Sequence, residues 1–162
     1  MKLLVRAILL LSICCAAALA QRSHFYWLVD AGGNTAGGNT GFVAGLTGGG
    51  EIAIAKGFSA GPELGFIAPR TGRFWDNVVG LAALNGYYHI RPGRNIRFDP
   101  YVSSGYSVLF RSDRVDMFNY GGGLTYWVKP EVGFRGEFRD RVGGGMHLWS
   151  FRFGVSFTSL AP

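Results

Sequence analysis

The stretch Glu131–Phe157 reads EVGFRGEFRDRVGGGMHLWSFRFGVSF, and its alternation decides the fold. Every second residue from Val132 gives Val132, Phe134, Gly136 and Phe138, with Glu131, Gly133, Arg135, Glu137 and Arg139 between them. A break is expected at Asp140–Gly145. The pattern then returns, with Trp149, Phe151, Phe153, Val155 and Phe157 on one face and Ser150, Arg152, Gly154 and Ser156 on the other. Successive side chains on a strand point to opposite faces, so a period of two marks strands. In a soluble sheet the aromatic face would turn inward. The N-terminus argues for the opposite.

Lys2 and Arg6 form a short basic region, Ala7–Ala17 an apolar one, and Ala18-Leu19-Ala20 a small-residue cleavage site. Residues 1–20 thus read as a secretion signal and 21–162 as one exported domain, with Gln21 the expected mature start. Cleavage removes Cys14 and Cys15, the two cysteines of the chain. No disulfide, thiolate nucleophile or cysteine metal site is then expected. Loss of Lys2 and Arg6 from 16 basic residues leaves 14 against 10 acidic ones, a net charge of +4. The arginines form no block, so nucleic acid is not an expected partner.

Composition disfavours helices, with 26 glycines in 162 residues, 15 % aromatics and no sustained 3.6-residue period. After the signal no apolar run is long enough for a transmembrane helix, so a membrane role requires strands. Six strands are expected at His24–Gly32, Phe42–Ala55, Phe58–Ile67, Asn77–Arg91, Ile96–Phe110 and Met117–Val128. A seventh follows the Lys129-Pro130 turn and an eighth follows Gly143–Gly145. Ala31–Thr40 holds AGGNT twice in tandem, which reads as loop. Connections after strands two, four and six are short, and those between are longer, glycine-rich or charged. That is the pattern of an eight-stranded antiparallel up-and-down barrel in the outer membrane, with both termini at the periplasmic, short-turn end.

In such a barrel bulky apolar residues face lipid, and small or polar ones face the lumen. Parity assigns Ile52, Ile54, Phe58, Leu64, Phe66, Leu84, Tyr88, Val102, Tyr106, Val108, Leu124 and Tyr126 outward. Opposite them fall Glu51, Ser59, Glu63, Asn85, Tyr87, Ser103, Ser107 and Thr125, with Val79 and Leu81 as inward exceptions. Counted from the turns, Glu51, Glu63, Arg135, Glu137 and Arg152 lie at one depth, roughly 12–17 Å above the periplasmic rim. Charges there must pair, or each would cost several kcal/mol. This cluster reads either as a gate or as a structural plug of a bore narrow enough for side chains to fill. Trp75, Phe118, Tyr120 and Trp149 are expected in an outer aromatic girdle. Tyr87, Tyr88, Phe98, Tyr101, Trp127 and Phe157 are expected in an inner one.

Several segments carry a family resemblance: Gly48–Glu51, Lys56–Phe58, Gly61–Gly65, Tyr87–His89, Asp99–Tyr101 with Gly105-Tyr106, Gly121–Gly123, Tyr126-Trp127, Gly133–Asp140 and Phe151–Phe157. Together they are similar to the small outer-membrane β-barrel domain proteins, the superfamily of the outer-membrane protein A transmembrane domain. The resemblance covers nearly all of the chain after residue 20. It implies an eight-stranded barrel inserted by the outer-membrane assembly machinery, with periplasmic chaperones as partners and the monomer as the expected state. It implies no single activity, because the family holds structural, adhesive and uncharacterised members.

Some eight-stranded barrels modify lipid A with His, Ser and an acid near the outer rim, for which His147, Ser150 and Asp140 are the candidates here. Positions 147 and 150 differ in parity and face opposite sides of a strand, so no enzyme is expected. No cofactor is expected, and no metal, since no two histidines are close in sequence and no acidic group has ligand spacing. Arg70, Arg73, Arg111, Arg114 and Arg141 fall in expected external loops, where guanidinium groups suit lipopolysaccharide phosphates. Ordinary solvated charge, paired with Asp76, Asp113, Asp116 and Asp140, is the competing reading. The favoured function is an integral outer-membrane barrel with a packed polar lumen, structural or interacting through its loops. The alternatives are a lipid A-modifying enzyme and a soluble periplasmic barrel that binds a small apolar ligand.

Overall fold

The computed structural model describes residues 23–36, 39–69, 78–90 and 97–158. The expected signal segment, Arg70, Arg73, Trp75, Asp76 and residues 159–162 lie outside them. Eight strands run in chain order: β1 (His24–Ala36), β2 (Asn39–Ala55), β3 (Phe58–Pro69), β4 (Val79–His89), β5 (Phe98–Phe110), β6 (Arg114–Lys129), β7 (Val132–Gly143) and β8 (Met146–Thr158). Each pairs antiparallel with its neighbours, and β8 returns to β1 to close the barrel. Phe25 faces Phe157 across that seam and Asp30 faces Arg152. Closure leaves no sheet edge, which is the condition for strands to cross lipid.

The period-two pattern becomes the two faces of the wall. Phe25, Trp27, Val29, Leu64, Leu84, Phe134, Phe151 and Phe153 point outward and are exposed, Trp27 by 59 % and Phe153 by 63 %. Monomeric soluble proteins rarely leave continuous apolar patches beyond a few hundred Å². A hydrocarbon surround removes that penalty.

The strands outrun their expected ends at the rim opposite the termini. Ala31–Ala36 and Asn39-Thr40 are strand and not loop: β1 and β2 stay in register up to Ala36 against Asn39. Glycine and asparagine pack poorly, but a ladder already in register can continue through their backbone N–H and C=O groups. For the same reason β6 begins at Arg114, and the expected break at Asp140–Gly145 shrinks to Gly144-Gly145. Both glycines there have positive φ, 57° and 74°. The connections 111–113 and 144–145 are therefore short, and the expected contrast in loop length between the two ends does not hold for them.

Three aromatics expected in the inner girdle are inside the barrel. Tyr87, Tyr101 and Trp127 are buried, whereas Tyr88, Phe98 and Phe157 do face outward. The inward parity of Tyr87 outweighs its nearness to a strand end, and the same holds for the other two.

The lumen is layered. Nearest the rim opposite the termini, Val43, Ile67, Leu81, Leu109, Met117 and Leu148 form an apolar core. Below it lies a layer of paired charges, then a tyrosine layer, and at the terminal end a group of histidines with Asp99 and Trp127. The expected polar lumen thus holds for the middle and the terminal end, while the opposite end packs like a soluble core. Gly154 permits the close approach at the seam, since a Cβ there would lie 1.8 Å from the Trp27 carbonyl oxygen.

Candidate functional site in the barrel lumen

Each charged side chain inside reaches the lumen by strand parity. β7 sends in Arg135, Glu137, Arg139 and Arg141, β8 sends Arg152, β1 Asp30, β2 Glu51 and β3 Glu63. These are four arginines and four carboxylates, all buried, and Asp99 at the terminal end is a fifth buried lumen carboxylate, 2.9 Å from His89. Within the arginine network itself the charges balance in number, which limits the cost of burying them.

Arg152 is the hub. Its Nη1 donates to Glu137 Oε1 at 2.7 Å, and its Nη2 lies 2.9 Å from Glu63 Oε2. The Nε is 3.0 Å from Asp30 Oδ1, near enough for an ion pair but without hydrogen-bond alignment. Arg139 lies 2.5 Å from Glu137 and 3.9 Å from Glu63, and Arg141 donates to Glu63 Oε1 at 3.3 Å. Arg135 pairs with Glu51, and with Glu137 at 3.2 Å.

The tyrosine layer holds the lower half of this network. The Arg135 guanidinium sits 4.3 Å from the Tyr26 ring centroid and 4.2 Å from that of Tyr101. A cation between two aromatic faces gains from both ring quadrupoles once water is excluded. Tyr26 Oη donates to Glu63 at 3.0 Å and Tyr101 Oη to Glu137 at 2.7 Å. Further down, Ser59 Oγ donates to Glu51 at 2.8 Å. The two nitrogens of His89 meet two carboxylates, Nε2 at 3.1 Å from Glu51 and Nδ1 at 2.9 Å from Asp99.

The structure therefore brings Glu51, Glu63, Arg135, Glu137 and Arg152 into one network and adds Asp30, Arg139 and Arg141 to it. Arg139 was already on the inward face of the opening stretch. Arg141 is a correction: it is not in an external loop but buried against Glu63, because β7 continues unbroken through Asp140 and parity carries position 141 inward. Asp30 had a signal too, the same parity as His24 on β1, hidden by the glycine-rich run that follows it.

The other candidates separate. Arg111 and Arg114 are exposed at the rim opposite the termini, where Arg114 Nε donates to Asp116 at 2.8 Å and Tyr106 Oη donates to the same carboxylate at 2.5 Å. His147 Nδ1 lies 3.3 Å from Asp140, but Ser150 is buried on the lumen side with its hydroxyl aimed at Asp30. His147 and Ser150 are not brought together, as parity required; a Ser–His contact forms instead inside the lumen, where Ser59 Oγ lies 3.3 Å from His89 Nε2.

This architecture has counterparts among solved structures. The N-terminal β-barrel domain of Pseudomonas aeruginosa OprF matches 86 % of this chain and 98 % of its own at 19 % identity, with a TM-score of 0.60. The fold is that of the small outer-membrane β-barrels. Neisserial surface protein A aligns over 85 % of this chain and 97 % of its own at 10 % identity and a TM-score of 0.61. Ail, the attachment invasion locus protein of Yersinia pestis, aligns over 86 % and 99 % at 9 % identity and a TM-score of 0.59. No protein-family model and no curated relative matches the chain. At these identities the likeness is one of fold.

Proposed function

We propose that this protein is an integral outer-membrane barrel, exported through the general secretory pathway, with a closed lumen and no enzymatic activity. Its role is structural or depends on contacts at the rim opposite the termini. The observation that carries this reading is the inversion of polarity: large apolar and aromatic side chains cover the outside while a network of paired charges occupies the middle of the lumen. The chain termini then lie in the periplasm and the rim bearing Arg111 and Arg114 faces outward. A soluble barrel for an apolar ligand would need the reverse, an apolar pocket within.

At the outer rim Arg111 and Arg114 offer guanidinium groups to lipopolysaccharide phosphates; Arg70 and Arg73 lie outside the described residues. Ail, similar in fold, has been solved in complex with the heparin analogue sucrose octasulfate, another polyanion. Arg141 takes no part, being inside. The lipid A-modifying alternative lacks a nucleophile beside His147 and Asp140.

Heat-modifiability tests the membrane assignment. The mature chain, folded in detergent, is expected to migrate differently on a denaturing gel before and after boiling and to be extracted only from the outer-membrane fraction. Purification from the periplasm without detergent would sink it. For the rim, Arg111→Ala with Arg114→Ala is expected to reduce lipopolysaccharide co-purification, and unchanged co-purification would end that part.

A further inference from the structure

At the terminal end of the lumen three strands bring together a group of donors at the edge of the arginine network, which His89 touches through Glu51. His24 is the first residue of β1, His89 the last of β4, and Asp99 the second of β5. They are buried, 6 %, 5 % and 7 % exposed, and one ligand atom from each lies within 4.8 Å of the other two. No sequence spacing announces the group, because it forms across a bore that brings β1 against β4 and β5.

We infer that His24, His89 and Asp99 form a binding site for a divalent transition metal, zinc by the character of its donors, at the terminal mouth of the barrel.

Two imidazoles and one carboxylate are a zinc set, with three protein ligands and a fourth position for water. Calcium and magnesium demand six or more oxygen ligands and are poorly served here. Donors about 2.0–2.2 Å from a tetrahedral metal stand about 3.3–3.5 Å apart. The widest pair of this group, no more than 4.8 Å apart, therefore closes by at most about 1.5 Å, within reach of side-chain rotations.

The surroundings suit a ligand set. With His89 Nδ1 turned to the metal beside Asp99, its Nε2–H remains 3.1 Å from Glu51 and donates to it. A carboxylate behind a ligating histidine fixes the tautomer and ring orientation. Glu51 is itself held by Arg135 and by Ser59. The His24 ring stands edge-on to His89, with centroids 5.6 Å apart, and lies 4.9 Å from the Trp127 ring. Those two contacts leave His24 outside the arginine network.

The test uses the untagged full-length mature barrel, folded in detergent, stripped with a chelator and titrated with Zn²⁺ against a chromophoric competitor. One equivalent is expected to bind. His24→Phe and Asp99→Asn are each expected to weaken it at least tenfold, since losing even a partner behind a ligand costs about 10–100-fold, and His147→Ala to leave it unchanged. The boiling shift on a gel verifies that each variant is folded. Should a variant fail to fold, imidazole ¹⁵N signals of the wild-type protein decide: those of His24 and His89 move with Zn²⁺ while that of His147 does not. Less than one equivalent on the folded wild type, binding that survives the His24→Phe/Asp99→Asn double substitution, or a shift at His147 alone would overturn the assignment.

Discussion

Replacing Arg152 by Met removes a charge at nearly constant side-chain length from the centre of the lumen. Arg152 is fully buried and faces three carboxylates, Glu137 at 2.7 Å, Glu63 at 2.9 Å and Asp30 at 3.0 Å. After the change Glu137 keeps Arg139 at 2.5 Å and Arg135 at 3.2 Å, and Glu63 keeps Arg141 at 3.3 Å. Asp30 is left with hydroxyl donors, Thr47 at 3.0 Å and Ser150 at 3.4 Å. Removing one partner of a buried pair costs about 3–5 kcal/mol, because the charge left behind is uncompensated. With a urea slope of about 2 kcal/mol/M, the unfolding midpoint falls by roughly 1.5–2.5 M. Arg141→Met is the contrast. Arg141 has one carboxylate at 3.3 Å, and its Nε and Nη1 have no hydrogen-bond partner among the described residues. Its desolvation is poorly repaid, so Arg141→Met is expected to lie within about 1 kcal/mol of wild type or to be more stable. Adding Asp30→Asn to Arg152→Met restores charge balance, and the double variant should lose less than the sum of the singles by about 1–3 kcal/mol. The assay is urea unfolding in detergent micelles, read as the fraction that keeps its unboiled mobility. Equal losses for Arg152→Met and Arg141→Met, or strict additivity with Asp30→Asn, would refute the hub.

Two further expectations concern the wall. Gly154→Ala sets a Cβ into the Trp27 backbone at the closing seam and is expected to cost about 1–3 kcal/mol, whereas Gly136→Ala, whose Cβ meets only the Phe153 ring at 3.6 Å, should be nearly neutral in the same urea assay. Phe153→Arg on the outer face should destabilise the barrel in lipid by about 2–4 kcal/mol if it lies near the bilayer midplane; a neutral effect in lipid vesicles would contradict a lipid-facing wall.

The alternation of Glu131–Phe157 made strands inevitable, and the same parity test sorted the outer aromatics from Glu51, Glu63, Arg135, Glu137 and Arg152. Those are local facts: a side chain's face depends only on its position along its own strand. Strand ends were less legible, since the Ala31–Thr40 repeat has loop composition, and the hydrogen bonds that keep residues 31–36 and 39–40 in the ladder come from a partner strand. The partners of each charge were not legible either. Which depth of β7 meets which depth of β2 or β3 is fixed by register and closure, so Arg141 found Glu63 and Arg152 found Asp30 only once the barrel closed. Trp127, Tyr87 and Tyr101 show the same limit, because nearness to a strand end suggests an interface while parity decides the side. The grouping of His24, His89 and Asp99 lies furthest from the sequence. Parity turns each of them inward, but only a bore narrow enough for opposite walls to touch brings residue 24 to residues 89 and 99.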